Sequence, residues 1–268
     1  MTDTATATTP ATLLSDDQLL QFIVHGYLRL NPTYPAGLHA DICRRLEALP
    51  HNPGNAILDA VPPLQQIWQH PEVVGALRGL VGDDYRMHGH RHWHTRPPHA
   101  GSQGWHQDGT NVRHHQTWSL LAMYYPHDVS LEMGPTMVMP GTHLRNAPTD
   151  RLASYANFTH QVALAVPAGT VVLAHYDIWH AGSANRTEQT RSMLKFVFDR
   201  QSEPTAPTWD HHPETVSPTL KSRVSEQIGG YGYCSDYYKE WELRLHMWRW
   251  HLGDHSAVPP GHFKDLLA

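Results

Sequence analysis

The chain has 268 residues, a formal net charge of −5 and 17% charged residues, and it carries no basic block interleaved with aromatics, which argues against a general nucleic-acid binder. Its two cysteines, Cys43 and Cys234, exclude a disulfide framework and a CxxC metal site, and no apolar run approaches the length of a membrane span. The length suffices for one domain with a substantial core, and histidine, with 23 copies, is the compositional anomaly.

Residues 1–14 open on a Thr/Ala-rich stretch without the charged and apolar regions of a signal peptide. They read as a disordered leader, followed by a single domain over residues 15–268, and the expectation is a soluble, cytoplasmic protein. Ser15-Asp16-Asp17-Gln18 has the form of a capping box, with acidic residues where the helix dipole favours them. Leu19, Leu20 and Ile23 give that helix an apolar face, and Gly26 breaks it. Residues 27–30 alternate as a short strand. Leu38, Ile42, Leu46 and Leu49 recur at helical spacing up to Pro50. A loop rich in Pro, Asn and Gly follows, then a helix over residues 72–81 between Pro71 and Gly82.

From Tyr85 the period changes to two. Residues 85–96 place His88, His90, His92 and His94 on one face of a strand and Arg91 and Trp93 on the other. The histidine row is a polar strand face, one side of a pocket, or a metal site, although successive residues on one strand seldom converge on one ion. Further strands are expected over residues 117–125, 136–139, 161–167, 170–176 and 193–198, separated by turns such as Met133-Gly134-Pro135. Residues 237–252, rich in Trp, Tyr and Leu at helical spacing, read as a terminal helix packed on the barrel. The fold class is therefore mainly β with flanking helices, a cupin-like jelly roll.

The chemistry is concentrated in Trp105-His106-Gln107-Asp108. His-x-Asp on extended chain turns an imidazole and a carboxylate to the same side, where both can reach one metal ion. The apolar run from Thr170 ends at His180, a candidate third ligand. Two histidines and one carboxylate leave three positions of an octahedral ion open, the arrangement of non-haem Fe(II) oxygenases. Eleven residues further, Arg191 can clamp a carboxylate co-substrate through parallel hydrogen bonds. His175 and Asp177 form a competing His-x-Asp, assigned to strand and turn structure because the Gly-Ser-Ala-Asn sequel and the spacing to Arg191 belong to His180. Two bland readings stand beside this one: His106 with Asp108 as a buried hydrogen-bonded pair, and Arg191 as a surface ion pair.

In order and spacing, His106-x-Asp108, Gly134-Pro135, Pro140-Gly141-Thr142-His143, His180-Ala-Gly-Ser-Ala-Asn185 and Arg191 resemble the phytanoyl-CoA dioxygenase family over residues 16–200. The resemblance implies a double-stranded β-helix core and a dioxygenase that uses Fe(II), 2-oxoglutarate and O2 to hydroxylate a C–H bond, releasing succinate and CO2. It implies His106, Asp108 and His180 as iron ligands and Arg191 as the arginine for the distal carboxylate of 2-oxoglutarate. Arg91, Ser183 and Met123 fall at or near positions that line the co-substrate in some members. Gln107, between two ligands, points its side chain to the opposite face. An intact Asp108 favours hydroxylation over halogenation, while desaturation, epimerisation and cyclisation use the same site. Arg113, His114 and His115 follow the ligand strand where substrate approaches, and with nearby arginines they suggest a small anionic metabolite. Nothing points to a nucleic-acid or membrane partner, and a monomer or homodimer is expected. A cupin-like hydrolase or isomerase without 2-oxoglutarate, and a histidine-rich metal-binding or storage protein, are the alternatives of other classes.

Overall fold

The computed structural model describes residues 10–109, 112–145, 151–153, 156–216 and 235–255, of which 151–153 and 235–239 as backbone. In chain order its strands are β1 (Tyr27–Leu30), β2 (Arg86–Arg96), β3 (Gln103–His106), β4 (Ser119–Tyr124), β5 (Thr136–Val138), β6 (Arg151–Ala153), β7 (Val162–Ala163), β8 (Val171–His175), β9 (His180–Gly182) and β10 (Arg191–Asp199). They build two antiparallel sheets, one ordered β1-β8-β4-β10-β2 and the other β6-β3-β9-β5-β7. This is the jelly-roll layout expected from the turn-punctuated strands.

Alternation in the first sheet sends its side chains to two different cores. Leu120, Ala122, Tyr124, Leu194, Phe196 and Phe198 face a helical layer, whereas Leu121, Met123, Val172, Met193 and Val197 face the inside of the sandwich. The helical layer contains α1 (Asp16–His25), α2 (Leu38–Glu47), α3 (Ile57–Ala60), α4 (Leu64–Trp68) and α5 (Pro71–Val81). In α1 the capping box is formed, Ser15 Oγ taking the Gln18 N–H, and Gly26 ends the helix in the left-handed region. The stretch expected as a loop before Pro71 holds α3 and α4. These are too short for a periodic signal, and they exist because Ile57, Leu64, Ile67 and Trp68 are buried, Trp68 against Phe196 and Phe198.

The expected leader ends sooner than its composition suggests. Residues 1–9 lie outside the described residues, but Thr12 donates its N–H to the Pro71 carbonyl and Leu14 is buried. Gly75 makes this approach possible, since a Cβ there would stand 1.9 Å from the Thr12 carbonyl oxygen. Among the described residues, two further helices follow the sandwich, α6 (Pro213–Val216) and α7 (Ser235–His251). Helix α7 is the expected terminal helix. Its Leu243, Met247 and Trp248 join the core beneath α1 and α5, and Arg145 pairs with Glu240. No helix among the described residues is long and apolar enough to cross a membrane.

Candidate metal centre and co-substrate cavity

His106 closes β3 and His180 opens β9, and the two residues stand directly opposite each other in the ladder of the smaller sheet. Asp108 lies just past the end of β3. The ligand atoms of the three residues lie within 4.8 Å of one another, with His106 Nε2 3.8 Å and His180 Nε2 3.7 Å from the Asp108 carboxylate. Each imidazole is oriented from behind: His106 Nδ1 donates to the Gly104 carbonyl and His180 Nδ1 to the Ile178 carbonyl, both at 3.0 Å. These bonds fix the tautomer that leaves both Nε2 atoms as lone-pair donors, and the one on His106 accepts the Gln103 side-chain amide at 3.3 Å. Burial holds the His180 imidazole down to about 4, so it is a neutral ligand near pH 7. The donor set, two imidazoles and a carboxylate, fits Fe(II).

Between the sheets at this end lies a cavity of about 380 Å³. The smaller sheet contributes Gln103, His106, Thr136 and His180, and the larger contributes His94, Met123, Met193, Lys195 and Arg191. Arg191, at the start of β10, is 3% exposed. Its Nε and Nη2 donate to the carbonyl of Gly134. That glycine can occupy its tight turn because it has no Cβ, which would meet the Ser183 carbonyl at 2.7 Å. The third nitrogen, Nη1, is buried without a hydrogen-bond partner, and no carboxylate pairs with this guanidinium among the described residues. A buried cation with an unused donor in a cavity calls for an anion.

Lys195, absent from the sequence expectations, is the main addition. Its ammonium donates to Asp108 Oδ2 at 2.6 Å. Burial pushes the Asp108 carboxyl up, but the fields of His180 and Lys195 and this hydrogen bond more than offset it, leaving the group below its ordinary value. The signal was in the sequence: Arg191, Met193 and Lys195 share one strand face at period two, so the residue four past the arginine enters the same cavity. His94, from the histidine row, also lines the cavity, and its Nε2 is buried without a partner.

The remaining candidates are distributed unevenly. Met123 lines the cavity. Arg91 does not reach it: strand alternation puts its side chain on the other face of β2 from His94, where Nη1 donates to the Asn55 carbonyl. Ser183 falls one position beyond the lining residue Gly182 and gives its hydroxyl to the Pro135 carbonyl. Gln107 is buried away from the cavity, its amide without a partner. Arg113, His114 and His115 do not line the cavity either. His115 packs against His246 of α7, and His114 Nε2 donates to Asp177 Oδ2 at 3.0 Å.

His114, His175 and Asp177 form a second cluster of metal-binding residue types. Its imidazole nitrogens are already engaged. His114 Nδ1 accepts from the Gln116 N–H, His175 Nδ1 accepts from the Asp177 N–H, and His175 Nε2 donates to the Gln116 carbonyl. The cluster is a hydrogen-bonded brace for the ligand loop, because Asp177 Oδ1 occupies the space a Cβ on Gly109 would need.

A family model described as phytanoyl-CoA dioxygenase matches residues 25–193. No curated protein matches the sequence. Among solved structures, HygX from Streptomyces hygroscopicus with nickel, 2-oxoglutarate and hygromycin B bound is similar at 18% identity, covering 75% of this chain and 92% of that one with a TM-score of 0.58. The carbocyclase SnoK from nogalamycin biosynthesis is 22% identical over 72% of this chain and 87% of its own, with a TM-score of 0.56. The epimerase SnoN from the same biosynthesis is 19% identical over 69% and 82%, with a TM-score of 0.57. At these identities the likeness is one of fold.

Proposed function

The chain belongs to the phytanoyl-CoA dioxygenase family and is a non-haem Fe(II)- and 2-oxoglutarate-dependent enzyme, and from that premise we propose that His106, Asp108 and His180 hold the iron while Arg191 binds the far carboxylate of 2-oxoglutarate. Family membership sets aside the hydrolase and storage readings. Bound iron with 2-oxoglutarate and O2 supplies oxidative decarboxylation to succinate and CO2, and with it the power to oxidise an unactivated C–H bond.

The chain's own part is positioning. The Gly134 carbonyl fixes two arms of Arg191, so that its free Nη1 meets the co-substrate without first being ordered. Met123 and Met193 wall the cavity and exclude water from the reacting end. Lys195 holds Asp108 ionised and turned, and the carbonyls of Gly104 and Ile178 hold the imidazoles. Arg96, Arg191 and Lys195 give the cavity a cationic lining, which suits a small anionic metabolite in addition to 2-oxoglutarate. Hydroxylation is the outcome proposed. Epimerisation or ring closure is the second reading, favoured by the likeness in fold to SnoN and SnoK, and it depends on where the substrate presents its next reactive group.

The observation that carries this reading is the partnerless Nη1 of a buried arginine beside the ligand triad. In air, Fe(II)-loaded protein is expected to convert 2-oxoglutarate to succinate, and Asp108→Ala to abolish it. Arg191→Met is expected to cost about 2–5 kcal/mol of 2-oxoglutarate binding, measured with Mn(II) in place of iron. Unchanged 2-oxoglutarate affinity in Arg191→Met would overturn the assignment.

A further inference from the structure

The iron centre does not use the histidine row on β2, yet the row leads to it. His88, His90, His92 and His94 share one face, with successive ring centroids 6.4, 4.0 and 5.4 Å apart. Exposure falls along the row: His88 and His90 lie in solvent, His92 is half-buried, and His94 lines the cavity. Because β2 is an edge strand of the larger sheet, the outer end of the row stays open.

One pair in the row has the spacing of metal ligands. His90 Nδ1 and His92 Nε2 stand 3.2 Å apart. Two imidazole nitrogens bound to one ion at 2.0–2.1 Å, at angles between a right angle and tetrahedral, are separated by about 2.9–3.4 Å. Those nitrogens now share a single proton, which a ring can carry on its other nitrogen, so an ion can take its place with both ligands neutral. His88 stands further off, its ring 6.4 Å from that of His90 and its Nδ1 accepting the His90 N–H.

We propose that His90 and His92 form a surface site for a divalent transition-metal ion, from which the ion passes along the row to the iron centre. The next nitrogen inward is His94 Nε2, buried, partnerless and inside the cavity. Beyond it lie the ligands His106, Asp108 and His180. The ammonium of Lys195, opposite His92 in the ladder, is paired with Asp108, and the arriving ion displaces it from Oδ2. The surface site stands on its own geometry; the delivery role rests on reading His106, Asp108 and His180 as the iron ligands.

Both parts are testable on the full chain. Calorimetric titration with Ni(II) is expected to resolve a tighter and a weaker class of site. Asp108→Ala loses the tighter class and keeps the weaker. The double variant His90→Ala/His92→Ala loses the weaker class and, in stopped-flow quenching of tryptophan fluorescence by low Co(II), loads the tighter one several-fold more slowly. A weaker class that is absent from the native protein, or that survives in the double variant, overturns the surface site. Loss of the weaker class with unchanged loading overturns delivery alone. Persistence of the tighter class in Asp108→Ala overturns the iron assignment and leaves the surface pair standing.

Discussion

Lys195 changes what Asp108 is. A half-buried carboxylate beside two imidazoles is costly unless it has a cation, and the ammonium at 2.6 Å fills that role. The same ammonium competes with a metal ion for Oδ2. Lys195→Met should therefore act in opposite directions on the two forms of the protein. The metal-free form loses of order 1–3 kcal/mol, because a half-buried carboxylate is left without its partner. Mn(II) binding tightens, because a like charge has been removed. Thermal melts with and without Mn(II) check both signs, and a variant that weakens metal binding would show that Lys195 orders the carboxylate rather than competing for it. The clustering of His106, Asp108 and His180 could be expected from the sequence because each sat in a motif with its own spacing. Lys195 was not, because it lay inside a run read for its apolar residues. Arg91 was misplaced for a related reason: counting back from His106 ignores the face on which alternation puts a side chain.

At the level of elements, the turn between β9 and β10 sets where Arg191 enters the cavity. Asn185, 1% exposed, is its pin. Its amide donates to the carbonyls of Arg96, Pro97 and Gln189, and its oxygen accepts from the Thr187 N–H and hydroxyl. Asn185→Ala would leave several of these groups unpaired at about 1–3 kcal/mol each, so a loss of several kcal/mol in urea unfolding is expected, with weaker 2-oxoglutarate binding. Retention of full co-substrate affinity in this variant would mean that Arg191 is placed by Gly134 alone. Most strands were readable, since alternation and turn residues mark them without tertiary information, but β6 and β9, three residues each, are too short to show alternation and were not expected. The segment before Pro71 was not. Helices of four and five residues have no period to detect, and only the apolar underside of the larger sheet, distant in sequence, explains why they form.

Across the whole molecule, the histidine content becomes a statement about acid. His143, His175 and His251 are each 1% exposed, and burial pushes all three below the ordinary 6.5, His175 to about 4. As pH falls below 6.5 the unfolded chain takes up protons that the folded chain refuses. Stability is thus complete above that value and declines toward the folded values, by up to about 1.4 kcal/mol per pH unit for each group. Urea midpoints should fall steadily between pH about 6.5 and 4.5, and a flat profile there would contradict the buried, neutral state of these rings. Composition flagged the histidines but gave no hint of which were core. A last consequence lies in the facing of His106 and His180 across the β3–β9 ladder. A slip of one residue in that pairing would throw one of the two imidazoles to the outside of the sheet. On the proposed assignment an ion bound by both would work as a rivet: it would hold only when the two strands are correctly aligned, and would make every misaligned pairing of the sheet less stable than the native one.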